Sequence, residues 1–309
     1  EIPLLMTFDG EWGLNMRLKE IPAFPRNRVL GSIQDNELLY EYGKEVARQF
    51  REIGVHVNFA PVADVDNNPL NPVINTRSFG GDPRNVAEKV VAYSRGLEKG
   101  GVLSVSKHFP GHGDTNVDSH KALPILNFTR ARLDSIEMYP FRQAVQAGLG
   151  GVMVGHLEVP ALSKKPASLS SDIIGILKNE IGFKGMVFTD ALEMKGVSNN
   201  QNVCAQALMA GNDMVLAPRN LKRELDAVLV AVKNGQLTEE SITERCRKVL
   251  TFKYVLGLHD RKPIQMSGLE NRLKRPETKD LLGRLEKASV TVVGNEGGIL
   301  PMAVDLKNT

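Results

Sequence analysis

Cysteine is scarce, with two in 309 residues, Cys204 and Cys246. Both fall in helix-like segments, which argues against a disulfide framework and against a cysteine-based zinc site. The expectation is two buried free thiols. Long apolar runs are missing as well. No stretch reaches the roughly 18 consecutive apolar residues of a transmembrane helix. Charge of one sign is also lacking: 39 basic side chains stand against 36 acidic ones, for a net charge of +3. That gives no reason to expect nucleic acid or an anionic membrane as the main partner. No Gly-x-Gly-x-x-Gly follows an apolar run, so nothing points to a dinucleotide fold. The chain opens without an initiator methionine, on "EIPLLMTFDG". The expectation is a fragment or processed form whose export signal lies outside it, with the compartment undecided but leaning toward export.

What is present is ordinary globular material, 42% hydrophobic and 24% charged. Short apolar runs recur at 2–10, 55–65, 102–111, 151–160, 185–192 and 213–218. Each is nearly continuous, as a strand buried on both faces of a parallel sheet should be. Helix-like segments separate them, at 35–53, 84–100, 130–148, 170–181, 200–211 and 220–234. A further one at 237–258 carries Thr238 as an N-cap candidate. Alternation over this length predicts an α/β fold.

The runs end in polar residues: Asp9, Asp64, Lys107 and His108, His156, and Asp190. A (β/α)8 TIM-type barrel builds its site from the ends of several strands, whereas a doubly wound sheet uses one switch point. The barrel is the expected architecture. Fewer than eight strands are readable, so a first strand upstream or an irregular one is implied. The barrel is assigned to residues 1–260, a charged linker with a helix to 261–288, and the incomplete start of a second α/β domain to 289–309, where a fresh strand and turn are expected.

Three of the six histidines fall in "KHFPGHGDTNVDSH", residues 107–120. Pro110, Gly111 and Gly113 rule out a helix there, and the spacing matches no standard zinc motif. No metal and no organic cofactor is expected. Lys107 and His108 end a strand and are held rigidly, and the glycines beyond them permit movement. Asp118 beside His120 can fix an imidazole tautomer and support general acid–base chemistry, although an exposed surface pair fits the same spacing. Asp190 can attack a sugar carbon, hold a metal or cap the next helix. Arg77, in the long loop 67–83, can bind sugar hydroxyls or an anion, or form a structural ion pair. Trp12 can stack on a sugar or pack in the core, and His112 reads as a loop-packing residue.

The combination of "KHFPGHGDTNVDSH" with "VFTDALEM", "NFAPVADVDNNP", "TRSFG" and "FDGEWG" resembles the bacterial β-N-acetylglucosaminidases of glycoside hydrolase family 3, over about residues 1–260. The resemblance implies a retaining exo-acting enzyme with Asp190 as nucleophile, His120 as acid/base and Asp118 as its partner. It implies that Asp9, Arg77, Lys107 and His108 hold the sugar next to the scissile bond. The implied substrates are terminal GlcNAc residues of muropeptides or chitooligosaccharides. A neutral imidazole does not repel an anionic acceptor, so phosphorolysis stays open as an alternative. So do β-glucosidase or β-xylosidase activity and a non-catalytic sugar-binding barrel. One departure is visible: "DGEWG" stands where the family has Asp-Gln-Glu-Gly-Gly.

Overall fold

The computed structural model describes residues 2–117, 122–260, 262–298 and 300. Among the described residues six strands form: β1 (Thr7–Phe8), β2 (Val57–Asn58), β3 (Leu103–Phe109), β4 (Gly151–Val154), β5 (Met186–Ala191) and β6 (Met214–Leu216). Each lies inside one of the six apolar runs. They form one sheet in the order β1-β2-β3-β4-β5-β6, and every neighbouring pair is parallel. Strand order never reverses, so the sheet has no switch point and is not doubly wound.

The sheet curls. The Phe59 ring, one residue past β2, meets the Phe188 ring of β5 edge-on at 5.5 Å. In a flat sheet, strands three apart lie about 14 Å from each other. Val57, Leu103, Val105, Met153 and Met186 join these rings in one interior cluster. Leu256 and Leu258, which follow the helix Glu239–Val255, belong to the same cluster. Thr238 caps that helix by accepting the Ser241 N–H at 3.1 Å, as its sequence predicts. Among the described residues no pairing joins β6 to β1, so the parallel, curled half-barrel is present and closure to eight strands is not part of it.

The outer face packs against helices Asn36–Glu52 and Pro83–Lys99, capped by Asp35 and Asp82. Tyr42 and Tyr93 stack between them at 4.8 Å. The charged stretch after residue 260 folds back onto the first of these helices. Its helix Pro276–Ser289 puts Leu281 and Leu285 into the same buried cluster as Tyr42. Thr278 donates to Glu45 at 2.6 Å, and Arg272 pairs with Glu52 at 2.7 Å. Residues 290–298 form no strand, although a strand was expected from their valines. A lone strand leaves its backbone groups unpaired, and Val292 and Val293 lie exposed. The cysteine expectation also needs correcting. Cys204 is buried, but Cys246 is exposed because the helix Glu239–Val255 buries none of its residues.

Candidate active site

A cleft of about 570 Å³ opens at the C-terminal ends of the strands. Asp9, Arg77, Lys107, His108 and Asp190, all expected from the sequence, line it together. Asp118 and His120 lie outside the described residues. The volume falls within the range of small-molecule sites.

Two irregularities in the sheet help build the cleft. In a regular strand, successive side chains point to opposite faces. The pairing of β3 with β4 shifts between Lys107 and Phe109, and Lys107 and His108 both reach the cleft. The pairing of β5 with β6 shifts between Phe188 and Ala191, around Asp190. An extra residue in one strand re-aims the side chains beside it.

The cleft floor is an ion network that joins the expected Asp9, Arg77 and Lys107 to Glu11 and Arg17, which were not expected there. Glu11, fully buried, takes the Arg77 guanidinium in a two-pronged grip, Nε to Oε2 at 3.0 Å and Nη2 to Oε1 at 2.8 Å. The Lys107 ammonium lies 2.9 Å from Glu11 Oε1 and 3.0 Å from Asp9 Oδ1. Arg17 meets the other Asp9 oxygen at 3.3 Å. Burial pushes the Glu11 pKa up, but the Lys107 and Arg77 charges outweigh it and hold the carboxyl well below the usual range. Burial works against the Lys107 ammonium, yet Glu11 and Asp9 raise its pKa above the ordinary lysine value. Arg77 therefore realises its structural ion-pair reading while still facing the cleft. In the sequence Glu11 was visible as a carboxylate two residues after the strand-end Asp9, and as the Glu that "DGEWG" shares with the family's Asp-Gln-Glu-Gly-Gly.

The imidazoles are braced in turn. His108 Nδ1 lies 2.7 Å from the buried Asp64 carboxylate. Asp64 Oδ1 also accepts the backbone N–H groups of His108 and His112. His112 lines the cleft, with its ring edge-on to His108 at 5.9 Å and its Nδ1 2.9 Å from Thr115 Oγ1 of the same loop, which is the packing expected of it. His156, fully buried, reaches Ser168 Oγ through Nδ1 at 2.7 Å and the Ala191 carbonyl through Nε2 at 2.9 Å. A carbonyl only accepts, so Nε2 donates and steadies the backbone next to Asp190.

Asp190 accepts the Ala191 N–H at 2.8 Å. Burial raises its pKa, but His108, His156 and that hydrogen bond overcome this and keep the carboxylate ionised. It is not a helix cap, because turns follow it and the next helix is Val203–Ala210. Trp12 lies outside the cleft lining, under the Arg26 guanidinium at 3.9 Å, and does not form its wall.

The glycines of the loop also read differently in three dimensions. A methyl on Gly113 would fall 1.8 Å from the Val65 carbonyl oxygen. Gly111 has φ +137° and would meet Glu137 at 2.7 Å. Arg132 ties the same loop down by pairing with Asp114 at 2.5 Å. At residues 111–114 the glycines serve close packing rather than the free movement expected of them.

An ionised carboxylate at a strand end, beside ordered cations and imidazoles in one cleft, is the arrangement of an α/β enzyme site. The chain belongs to glycosyl hydrolase family 3, whose N-terminal domain profile matches residues 1–252. It is 30% identical over 333 aligned residues to Beta-hexosaminidase A of Pseudoalteromonas piscicida, covering 98% of this chain and 55% of that protein. It is 35% identical over 269 to Beta-hexosaminidase LpqI of Mycobacterium tuberculosis, covering 82% and 68%. A family 3 β-N-acetylglucosaminidase from Paenibacillus sp. superimposes with a TM-score of 0.90 at 38% identity, over 96% of this chain and 58% of that one. The chain thus spans little more than half the length of the Pseudoalteromonas and Paenibacillus proteins.

Proposed function

We propose that the chain carries the catalytic domain of a retaining exo-β-N-acetylglucosaminidase. The observation that supports this most is Asp190, kept ionised at the end of β5 inside the cleft. The names of the relatives point to the same activity. In this reading Asp190 attacks the anomeric carbon, the bond to the leaving oxygen breaks, and His120 gives that oxygen its proton. Water then attacks the same carbon, His120 takes up the water's proton, and the glycosyl–Asp190 ester opens. Two inversions leave the configuration unchanged. Asp118 orients His120, and this dyad stands where most retaining enzymes place a second carboxylate. Lys107, His108, Arg77 and Asp9 hold the terminal sugar. Substrates are GlcNAc-terminated oligosaccharides or muropeptides.

The same reading completes the architecture. The six-stranded sheet is part of a (β/α)8 barrel, with its remaining strands between β6 and β1. Exposed apolar residues flank both of those edges: Ile2, Leu4 and Met6 beside β1, and Leu221, Leu225 and Leu229 on the helix after β6. Residues 289–309 are the start of a second domain.

The test compares p-nitrophenyl glycosides of GlcNAc and glucose, with and without phosphate. Preference for GlcNAc, release of free sugar and indifference to phosphate are expected. Preference for glucose, a sugar phosphate product, or binding without turnover would each overturn the proposal. His120→Ala is expected to slow poor leaving groups far more than nitrophenol. Equal losses on both would remove His120 from the acid role.

A further inference from the structure

Glu11 is a cleft-lining charge that the mechanism does not use. It is fully buried, whereas the side chain of Asp9 is 39% exposed. Both line the cleft, but only Asp9 presents exposed surface in it. Yet both Glu11 oxygens are engaged: Oε1 by Arg77 Nη2 and by Lys107 Nζ, and Oε2 by Arg77 Nε. These partners come from points 66 and 96 residues further along the chain (77 − 11 and 107 − 11). A buried carboxylate in this position carries a large desolvation cost unless its partners stay charged and in place. The reverse also holds. Lys107 and Arg77 repel each other, and Glu11 lies between them.

We infer that Glu11 is a positioning residue, which holds the Lys107 ammonium and the Arg77 guanidinium as one fixed donor array under the bound sugar. The inference rests on the glycosidase reading above. The grip on Arg77 uses the planar fork, so its orientation is set as well as its position. Asp9 assists at Lys107, but its second oxygen faces Arg17 at the open side of the cleft. Other titratable groups that bear on this cluster are His108 next to Lys107, Asp190 on β5, Asp64 after β2 and the buried phenol of Tyr93. Beside Glu11, Asp9 raises the Lys107 pKa, while burial and Arg77 lower it, and the Lys107 charge in turn lowers the Asp190 pKa. Without the Glu11 charge, Lys107 should lose its proton at lower pH, and a donor to the sugar is lost with it.

The experiment compares wild type, Glu11→Gln and Glu11→Asp on p-nitrophenyl GlcNAc across pH. For Glu11→Gln, kcat/KM is expected to fall roughly 100-fold, mostly through KM. Its pH profile should also gain an alkaline limb at a pH where wild type is flat. Glu11→Asp keeps the charge and should show the loss without the new limb. A Glu11→Gln profile parallel to wild type would reduce Glu11 to a structural role and overturn the inference. If Glu11→Gln does not fold, Glu11→Asp carries the test, and a wild-type KM in that variant overturns the inference. 13Cε-lysine NMR, with Lys107→Arg to assign the signal, reads the Lys107 titration without any turnover. If wild type cleaves no aryl glycoside, the glycosidase reading fails. The role of Glu11 is then decided by whether the Lys107 midpoint falls in the Gln variant.

Discussion

The carboxylate of Asp64 holds His108 from two sides: Oδ2 lies 2.7 Å from the ring Nδ1, and Oδ1 accepts the His108 backbone N–H at 3.1 Å. An ionised carboxylate only accepts, so the ring proton sits on Nδ1 and the tautomer is set. Asp64→Asn keeps an oxygen for the backbone donors but turns an amide N–H toward the ring. We expect kcat/KM to fall about 10- to 100-fold with little change in stability. Asp64→Ala strips the acceptor from the buried N–H groups of His108 and His112, at about 1–3 kcal/mol each. Urea unfolding alongside nitrophenyl glycoside kinetics separates the two effects. A fully active Asn variant would show that the tautomer does not matter.

Asp190→Ala is expected to lower turnover by on the order of 10⁴-fold or more while leaving sugar binding measurable. The vacated space beside Ala191 admits a small anion. Added azide should restore part of the rate and give the glycosyl azide of inverted configuration. Retained configuration in that product would mean that another group carries the nucleophilic role.

His112 supplies a pH signature in stability. Burial, then the neighbouring His108, push its pKa down to about 4. In the unfolded chain the same group titrates near the ordinary value of about 6.5. Between these values the unfolded state binds a proton that the folded state refuses. The contribution of His112 is therefore complete above pH 6.5 and is lost as pH falls toward 4, by about 3 kcal/mol in total. Glu11 behaves differently. Its pKa is lowered from about 4.5, so its contribution is complete above pH 4.5 and is lost only as pH falls below that. Urea unfolding at successive pH values should slope between pH 6.5 and 4, and His112→Gln should flatten that slope. An unchanged slope in the variant would assign it to other groups.

Gly113→Ala places a methyl 1.8 Å from the Val65 carbonyl oxygen, so one of two backbones must move. The expected cost is about 3 kcal/mol, with a loss of activity because His112 and the Asp64 contacts sit on the same loop. Gly101→Ala is the control. It has φ +80° and nothing within 4 Å, so only the backbone penalty of about 1 kcal/mol applies. Thermal melts of the two variants give the comparison, and equal shifts would contradict it.

The strands and their polar ends were readable along the chain. A buried parallel strand needs a continuous apolar run, and a charged residue at its end breaks that run visibly, as at Asp9, Lys107 and Asp190. The motif around residues 107–120 is local too, and its resemblance to family 3 needed no coordinates. Pairings between distant residues were not readable. Nothing near Glu11 in the sequence says that it will meet Arg77 and Lys107, because those contacts exist only once β1, β3 and the loop 67–83 converge. Asp64 was visible as a strand-end carboxylate, but its grip on two histidines depends on how the 107–117 loop folds back over it. The glycines of that loop suggested mobility, since composition records conformational freedom and not neighbours. Val65 and Glu137 turn that freedom into close packing. Local apolar pattern was enough to determine the α/β class and the cleft end of each strand. Which charges neutralise one another inside the cleft was decided by tertiary structure alone, because electrostatic pairing depends on separation in space rather than along the chain.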